Sequence, residues 1–477
     1  MPVGDVLPEI ALVVAAVVTL LVAAFVPRQA NRWCAVLSLA GLAAAAGLAA
    51  VASRGTSRLT FNDTWALDGA THAARLIILA FAAASVGLAP DWMSGDRRHG
   101  EFYAILLLSA AGAMLMAGAA DTMELVMGVL LSSVTGFTLA AYHRAWPLSV
   151  EAGAKYFLIG ALASALLVAG VVLLFGLAGD TSYRATAAAL AVRLSAGRNA
   201  TWGVLVAVSF VTVGLAYKLA AFPAHTWLPD VAEGSPLPAA AFLSVAPKLG
   251  ALVALARVTE MVPQGSVPWR PLVAVLAAVT MTVGNLGALW QTDIRRLLGW
   301  SSVSQSGYAL VAVAALGGSR LAVPGLLFFV AAYGAANLAA FGAVAHLRGR
   351  TDLASYRGLG RARPWTAAAL VISLLSLVGV PPLAGFFGKV LVFGAAIDAG
   401  YAWLAVVAVA NTVASLFYYL RVIAPVYLDE PADESVAVAV LGGWSGWTLA
   451  VAVAATVALG LGAQAVWSAL RGASLLL

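Results

Sequence analysis

Fourteen long apolar runs divide this 477-residue chain, at about 6–26, 33–53, 71–90, 101–119, 121–142, 151–177, 201–222, 238–260, 269–290, 295–317, 322–347, 365–395, 401–427 and 441–470. A run of ~20 apolar residues crosses ~30 Å of hydrocarbon as a helix. The expected fold is therefore an all-α polytopic membrane protein with about 14 transmembrane helices, forming a single membrane domain over 1–477 and lying in the cell inner or plasma membrane. A composition 62% hydrophobic and 10% charged is far from that of a soluble protein. Asp5 and Glu9, rather than basic residues, lead into the first run, so it reads as a retained helix and not as a signal peptide.

The net charge of +6 does not indicate a nucleic-acid binder, because the arginines stand singly or in small groups between apolar runs, as at a membrane face. With the N-terminus outside, 12 arginines fall in inner loops and eight in outer segments, while Arg75, Arg257 and Arg421 fall within spans. Only four of the 27 basic residues are lysine, namely Lys155, Lys218, Lys248 and Lys389, and each falls in or at the edge of a span. Arginine stays charged in a protein, whereas a buried lysine can exchange its proton. An ionisable group held in hydrocarbon marks a functional site by default.

Two spans are interrupted. Phe222-Pro223-Ala-His225 breaks the seventh and Gly379-Val-Pro381-Pro382-Leu-Ala-Gly385 breaks the twelfth. Each proline lacks an N–H and leaves the carbonyl four residues earlier without its helical partner. In a bilayer that is tolerated where the backbone is buried in protein or lines a wet cavity. The breaks lie five spans apart, and an odd offset reverses the direction of entry, the pattern of an inverted repeat with binding groups at broken helices. Two inverted five-helix repeats are expected, helices 4–8 (101–262) and helices 9–13 (263–428), flanked by helices 1–3 (1–100) and by a loop and final helix (429–477).

The four lysines, His225 beside the first break and Glu124 in the fifth span make up a candidate proton relay. Three of them have a plainer alternative: Lys155 reaching the membrane surface, Glu124 meeting the interface, and His225 bonding carbonyls freed by Pro223. His72, His99, His143 and His346 read as end or loop residues and not as a metal cluster. The single cysteine, Cys34, excludes an internal disulfide and a Cys-ligated metal or iron–sulfur centre. There is no phosphate loop, dinucleotide fingerprint or haem pair, so any redox chemistry is expected on other chains.

Several stretches carry a resemblance. They are Glu151-Ala-Gly-Ala-Lys155-Tyr156, Gly214-Leu-Ala-Tyr-Lys218 through His225-Thr-Trp-Leu-Pro-Asp230, Phe242-Leu-Ser-Val-Ala-Pro-Lys248, Gln291-Thr-Asp-Ile-Arg295-Arg-Leu-Leu-Gly-Trp-Ser301-Ser, Asp352-Leu-Ala-Ser-Tyr-Arg357 and Pro382-Leu-Ala-Gly-Phe-Phe-Gly-Lys389. In this order they resemble the antiporter-like membrane subunits of complex I, the proton-pumping NADH:quinone oxidoreductase. The resemblance implies proton transport driven by quinone reduction, with NADH, FMN, iron–sulfur clusters and quinone held by other subunits. It implies other membrane and peripheral subunits of complex I as partners, within the lipid bilayer. It casts Lys218 as the pumping lysine, Lys155 and Lys248 as the connecting relay and Lys389 as the group nearest one exit. A glutamate usual in the fifth helix of that family, within Gly-x-Glu-Leu, is replaced here, where the chain reads Gly128-Val-Leu130-Leu131 with Glu124 six residues earlier. A subunit of a multi-subunit cation/proton antiporter or of a membrane-bound hydrogenase, and a structural paralogue that does not pump, remain as alternatives.

Overall fold

The computed structural model describes residues 2–27, 32–96, 99–195, 198–265, 267–430, 439–440 and 442–477. Arg28, Arg97 and Arg98, three of the arginines assigned to inner loops, lie outside the described residues. Helices α1 (Leu7–Phe25) and α2 (Arg32–Ala52) precede an antiparallel hairpin of β1 (Arg58–Thr60) and β2 (Trp65–Leu67). There follow α3 (Gly69–Trp92), α4 (His99–Gly118), α5 (Thr122–Ala140), α6 (Pro147–Ala178), α7 (Tyr183–Ser195), α8 (Arg198–Leu219), α9 (Trp227–Gly234), α10 (Leu237–Leu243) and α11 (Ala246–Met261). The rest comprises α12 (Trp269–Leu289), α13 (Ile294–Ala314), α14 (Ala322–His346), α15 (Leu359–Ala362), α16 (Pro364–Val378), α17 (Ala384–Asp398), α18 (Ala402–Leu428), α19 (Gly443–Leu461) and α20 (Ala463–Leu470).

Among the described residues, twelve helical segments are long and apolar enough to cross a membrane. The other two expected crossings are α13, whose middle is rich in hydroxyl side chains, and the α16–α17 pair, whose halves hold 15 residues each. The interruptions at residues 220–226 and 379–383 separate α8 from α9 and α16 from α17. A third interruption, at Ser244 and Val245 between α10 and α11, falls where the apolar run gave no sign of one. The surface-lying α7 and the β1–β2 hairpin are also unannounced by the apolar runs, and the last run is split at Gly462 between α19 and α20.

Burial grades from edge to centre. Helices α11 and α14 are enclosed by protein on nearly every side, whereas α1, α2, α6 and α19 turn most of their surface outward. Apolar side chains on those outer helices face what is hydrocarbon in a bilayer, so their exposure carries no solvation penalty there.

The intramembrane arginines are structural ties. Arg75 of α3 holds Glu9 of α1 at 2.7 and 2.9 Å. Arg257 of α11 holds Asp68 at 2.8 and 3.1 Å, and both side chains are fully buried. Asp68 also caps α3 through Thr71 N–H (2.8 Å) and accepts Leu476 N–H (2.8 Å), which draws the C-terminal tail back against the bundle. Arg421 of α18 donates to the carbonyls of Leu289 and Gln291 at the end of α12. Removing one partner of a buried pair leaves an uncompensated charge, costing about 3–5 kcal/mol.

Candidate functional site

Each break exposes carbonyls, and the structure shows what takes them. Pro223 has no N–H to offer Leu219 O, and that oxygen accepts Ser306 Oγ at 2.5 Å. Pro381 leaves Leu377 O, which accepts Gln305 Nε2 at 3.1 Å. Pro382 leaves Val378 O, which accepts Lys389 Nζ at 2.8 Å. The carbonyls released at both interruptions are thus satisfied by side chains of α13 and by a lysine. Gly379 closes α16 in the left-handed region at φ 95°, and a Cβ there would press on Lys389 Cδ at 3.1 Å. The glycine lets the amine fold back onto the end of α16.

Lys248 lies in the first turn of α11, at the positive end of that helix dipole, so its ammonium form depends on local acceptors. It has three: Ser302 O at 2.7 Å, Ser302 Oγ at 2.6 Å and Ser306 Oγ at 2.9 Å. The network continues through Ser302 Oγ to Tyr333 OH (2.5 Å), from Tyr333 OH to Ser244 O (2.9 Å), and from Asn337 Nδ2 to Ser244 Oγ (2.7 Å). Lys218 lies in the last turn of α8 and donates to Ser132 Oγ of α5 at 3.3 Å. Its neighbour Leu219 supplies the carbonyl that Ser306 takes, so Ser306, an acceptor for Lys248, also holds the end of the helix that carries Lys218. Lys389 also reaches Thr412 Oγ1 (3.4 Å), which bonds Tyr308 OH (3.1 Å), and its ammonium lies 4.5 Å from the Tyr308 ring centroid.

Helix α13 is the common element. Ser302 and Ser306 face Lys248, while Gln305 and Tyr308, about a turn apart, face the second break and Lys389. All of these side chains are buried. Among the described residues, Lys218, Lys248 and Lys389 form no ion pair with a carboxylate, and each is at most 4% exposed.

The other three candidates stand apart from this array. Lys155 is 44% exposed on α6 and pairs with Glu151 (2.7 Å) and Asp230 (2.9 Å). Asp230 is shared with Arg296 at 2.6 Å, and Arg296 also reaches Glu233 at 2.8 Å. That cluster ties Lys155 to α9, just beyond the first break, through side chains at the bundle's flank. His225 is buried between Phe222 and Trp300, with its Nδ1 bonded to nothing among the described residues. Glu124 accepts Thr64 Oγ1 from the hairpin at 2.8 Å, in the first turn of α5 and about two turns before Ser132, which meets Lys218.

Leu130, the position where the resemblance places a glutamate, is 42% exposed on the outer face of α5. Two residues on, Ser132 points inward to Lys218. Sequence reasoning missed Ser132, Ser244, Ser302, Gln305, Ser306, Tyr308, Tyr333, Asn337 and Thr412. The available signal was the density of hydroxyls in Ser301-Ser302-Val-Ser304-Gln305-Ser306-Gly-Tyr308, inside a run otherwise fit to cross lipid.

The family model described as NADH:quinone oxidoreductase/Mrp antiporter, TM, matches residues 119–415, which include α8 to α17 and every buried lysine above. The chain belongs to this family. It is 42% identical over 457 residues to NADH-quinone oxidoreductase subunit N of Mycobacterium sp. (strain JLS), covering 95% of each chain. It is 44% identical over 471 residues to NADH-quinone oxidoreductase subunit N 1 of Streptomyces griseus subsp. griseus, covering 98% of this chain and 97% of the relative. Among solved structures, a chain of respiratory complex I from Thermus thermophilus with bound Aureothin superposes with a TM-score of 0.82 at 30% identity, over 98% of this chain and 100% of that one. A chain of the Mrp complex from Dietzia sp. shares the fold, with a TM-score of 0.85 at 23% identity, over 99% and 97% of the two chains.

Proposed function

We propose that this chain is a proton-translocating, antiporter-like membrane subunit of an NADH:quinone oxidoreductase, working beside other membrane and peripheral subunits in the cell membrane. The reading rests on one observation above all. Three buried amines without carboxylate partners lie at or between two helix breaks: Lys248 bonds Ser302 and Ser306 of α13, Lys389 reaches Tyr308 of α13 through Thr412, and Lys218 bonds Ser132 of α5, one residue before a carbonyl that Ser306 takes. Relatives at 42% and 44% identity over nearly the whole chain support it. Electrons pass elsewhere: NADH, FMN, iron–sulfur clusters and quinone belong to other subunits, and no redox centre resides on this chain.

In this reading residues 101–262 and 263–428, the fourth to eighth and ninth to thirteenth spans, are two inverted repeats, each contributing one of the helices broken at proline. Protons move laterally from Lys218 to Lys248, then along α13 to Lys389. Hydroxyls can donate and accept at once, so Ser302, Ser306, Tyr308 and Tyr333 suit a relay in which amines hold the proton at intervals. Lys155, His225 and Glu124 act at its margins, Lys155 through the Asp230–Arg296 cluster that holds α9.

The test is NADH-driven acidification by the assembled complex in proteoliposomes. Lys218→Met and Lys389→Met are each expected to lower protons moved per NADH oxidised while assembly persists. Unchanged stoichiometry in both would overturn the reading. The shared fold with the Mrp chain keeps a cation/proton antiporter as the second reading. A sodium gradient that drives proton movement without NADH and quinone would favour it.

A further inference from the structure

A polar cavity of about 580 Å³ opens well away from the lysine array. It sits where α3 and α14 end and where α5 gives way to α6, so the chain enters or leaves the apolar layer on every side of it. Its cationic side chains are Arg144 and Arg348. The Arg348 guanidinium lies 4.8 Å from the Trp92 ring centroid and donates to Trp92 O at 3.2 Å. Arg144 is exposed at the mouth. Neither arginine forms an ion pair among the described residues. The one carboxylate in the lining, Asp96, is engaged by His143 Nδ1 at 3.2 Å.

We propose that this cavity binds the phosphodiester of an anionic phospholipid. Two guanidinium groups present the planar donor geometry that matches phosphate oxygens. A basic pocket between spans, at the level where they meet water, has the setting in which such headgroups bind. A free phosphate would satisfy the same donors, but the surroundings favour a lipid. Trp146, which lines the cavity, is 39% exposed, and Leu148 beside it is 52% exposed at the start of α6, giving the acyl chains an apolar surface continuous with the site. Trp92 and Trp146 are the amphipathic rings favoured at that depth.

Native mass spectrometry of the full-length chain in neutral detergent tests this, with phosphatidylglycerol, phosphatidylcholine and inorganic phosphate as probes. The first phosphatidylglycerol is expected to bind more tightly than phosphatidylcholine. Arg144→Ala and Arg348→Gln are each expected to weaken it about fivefold, the effect of one basic group near a lipid surface. Arg348→Lys, which keeps the charge, controls for loss of the Trp92 contact and is expected to retain most of the preference. Equal affinity for the two lipids, or no change in Arg144→Ala together with Arg348→Gln, would overturn the proposal. Displacement of phosphatidylglycerol by millimolar inorganic phosphate would also overturn it, by making the site one for a free anion.

Discussion

At the residue scale, the partner of Lys218 decides what a carboxylate near it would do. Leu130 and Ser132 lie two residues apart on α5, about 200° around the helix, and only Ser132 meets the amine. Ser132→Asp is therefore expected to trap Lys218 as an ion pair and slow proton transfer by an order of magnitude or more, read as acidification per NADH. Leu130→Glu points its charge outward, where it costs about 2–3 kcal/mol of insertion and leaves the stoichiometry of correctly assembled complex unchanged; a gain in pumping there would mean that α5 presents its other face to Lys218. His143, in the loop between α5 and α6, gives a separate pH prediction. Its Nε2 accepts Trp92 Nε1–H at 3.4 Å while Nδ1 faces Asp96, an arrangement that needs the neutral ring. Burial pushes its pKa below the ordinary histidine value of about 6.5 and Arg348 adds to that, with Asp96 opposing. Because the folded value is depressed, the stabilising contribution is complete above the unfolded pKa and is lost as pH falls through the folded one. The protection factors of residues 141–146 against hydrogen exchange, taken relative to the intrinsic rate at each pH, are expected to fall on acidification from pH 7.5 to 5, and His143→Gln is expected to flatten that dependence.

At the element scale, α13 explains both what the sequence revealed and what it concealed. Apolar length disclosed the spans because lipid-facing and buried surfaces alike must be apolar, and the missing N–H of Pro223, Pro381 and Pro382 disclosed the breaks because that loss is local chemistry. Which face of a helix turns inward depends on neighbours distant in sequence. Lys155 and Lys248 look equivalent as letters within apolar runs, yet one is 44% exposed and the other 2%. Glu124 likewise gave no hint that a hairpin threonine would hold it. The hydroxyls of α13 went unread because serine in an apolar run can bond its own helix, as Ser373 does to Ala369 O at 2.6 Å; only the fold shows that Ser306 turns to α8 and Lys248. Ser306→Ala removes the donor to Leu219 O and an acceptor from Lys248, and Gln305→Leu leaves Leu377 O unpaired. Each is expected to cost about 1–3 kcal/mol of stability for the orphaned groups, measured as a lowered thermal midpoint in detergent. Ser306→Ala alone should also cut pumping, since it takes a relay hydroxyl from Lys248 and releases the end of the helix that carries Lys218. A variant with normal stability and normal pumping would remove α13 from the relay.

At the scale of the whole molecule, the buried charges divide by chemistry. The fully buried arginines, which do not release a proton, are paired with Glu9 and Asp68 and tie α1, α3, α11 and the C-terminal tail together. The buried lysines, which can, are left without carboxylates and surrounded by neutral acceptors. A framework of fixed charges thus encloses a row of exchangeable ones, and the two sets should answer differently to mutation. Asp68→Asn is expected to act on stability and assembly, because it strands Arg257, with surviving complexes pumping normally. The lysines should act on transport and behave as a series. If protons pass Lys218, Lys248 and Lys389 in turn, blocking any one blocks the path, so the Lys218→Met, Lys389→Met double variant should lose no more than the more severe single variant. Groups that act as a unit show this departure from additivity. Independent routes through the two breaks would instead multiply the two losses. Measuring acidification per NADH for both single variants and the double separates these outcomes, and multiplicative losses would mean that α8 and α17 serve separate channels rather than one lateral path.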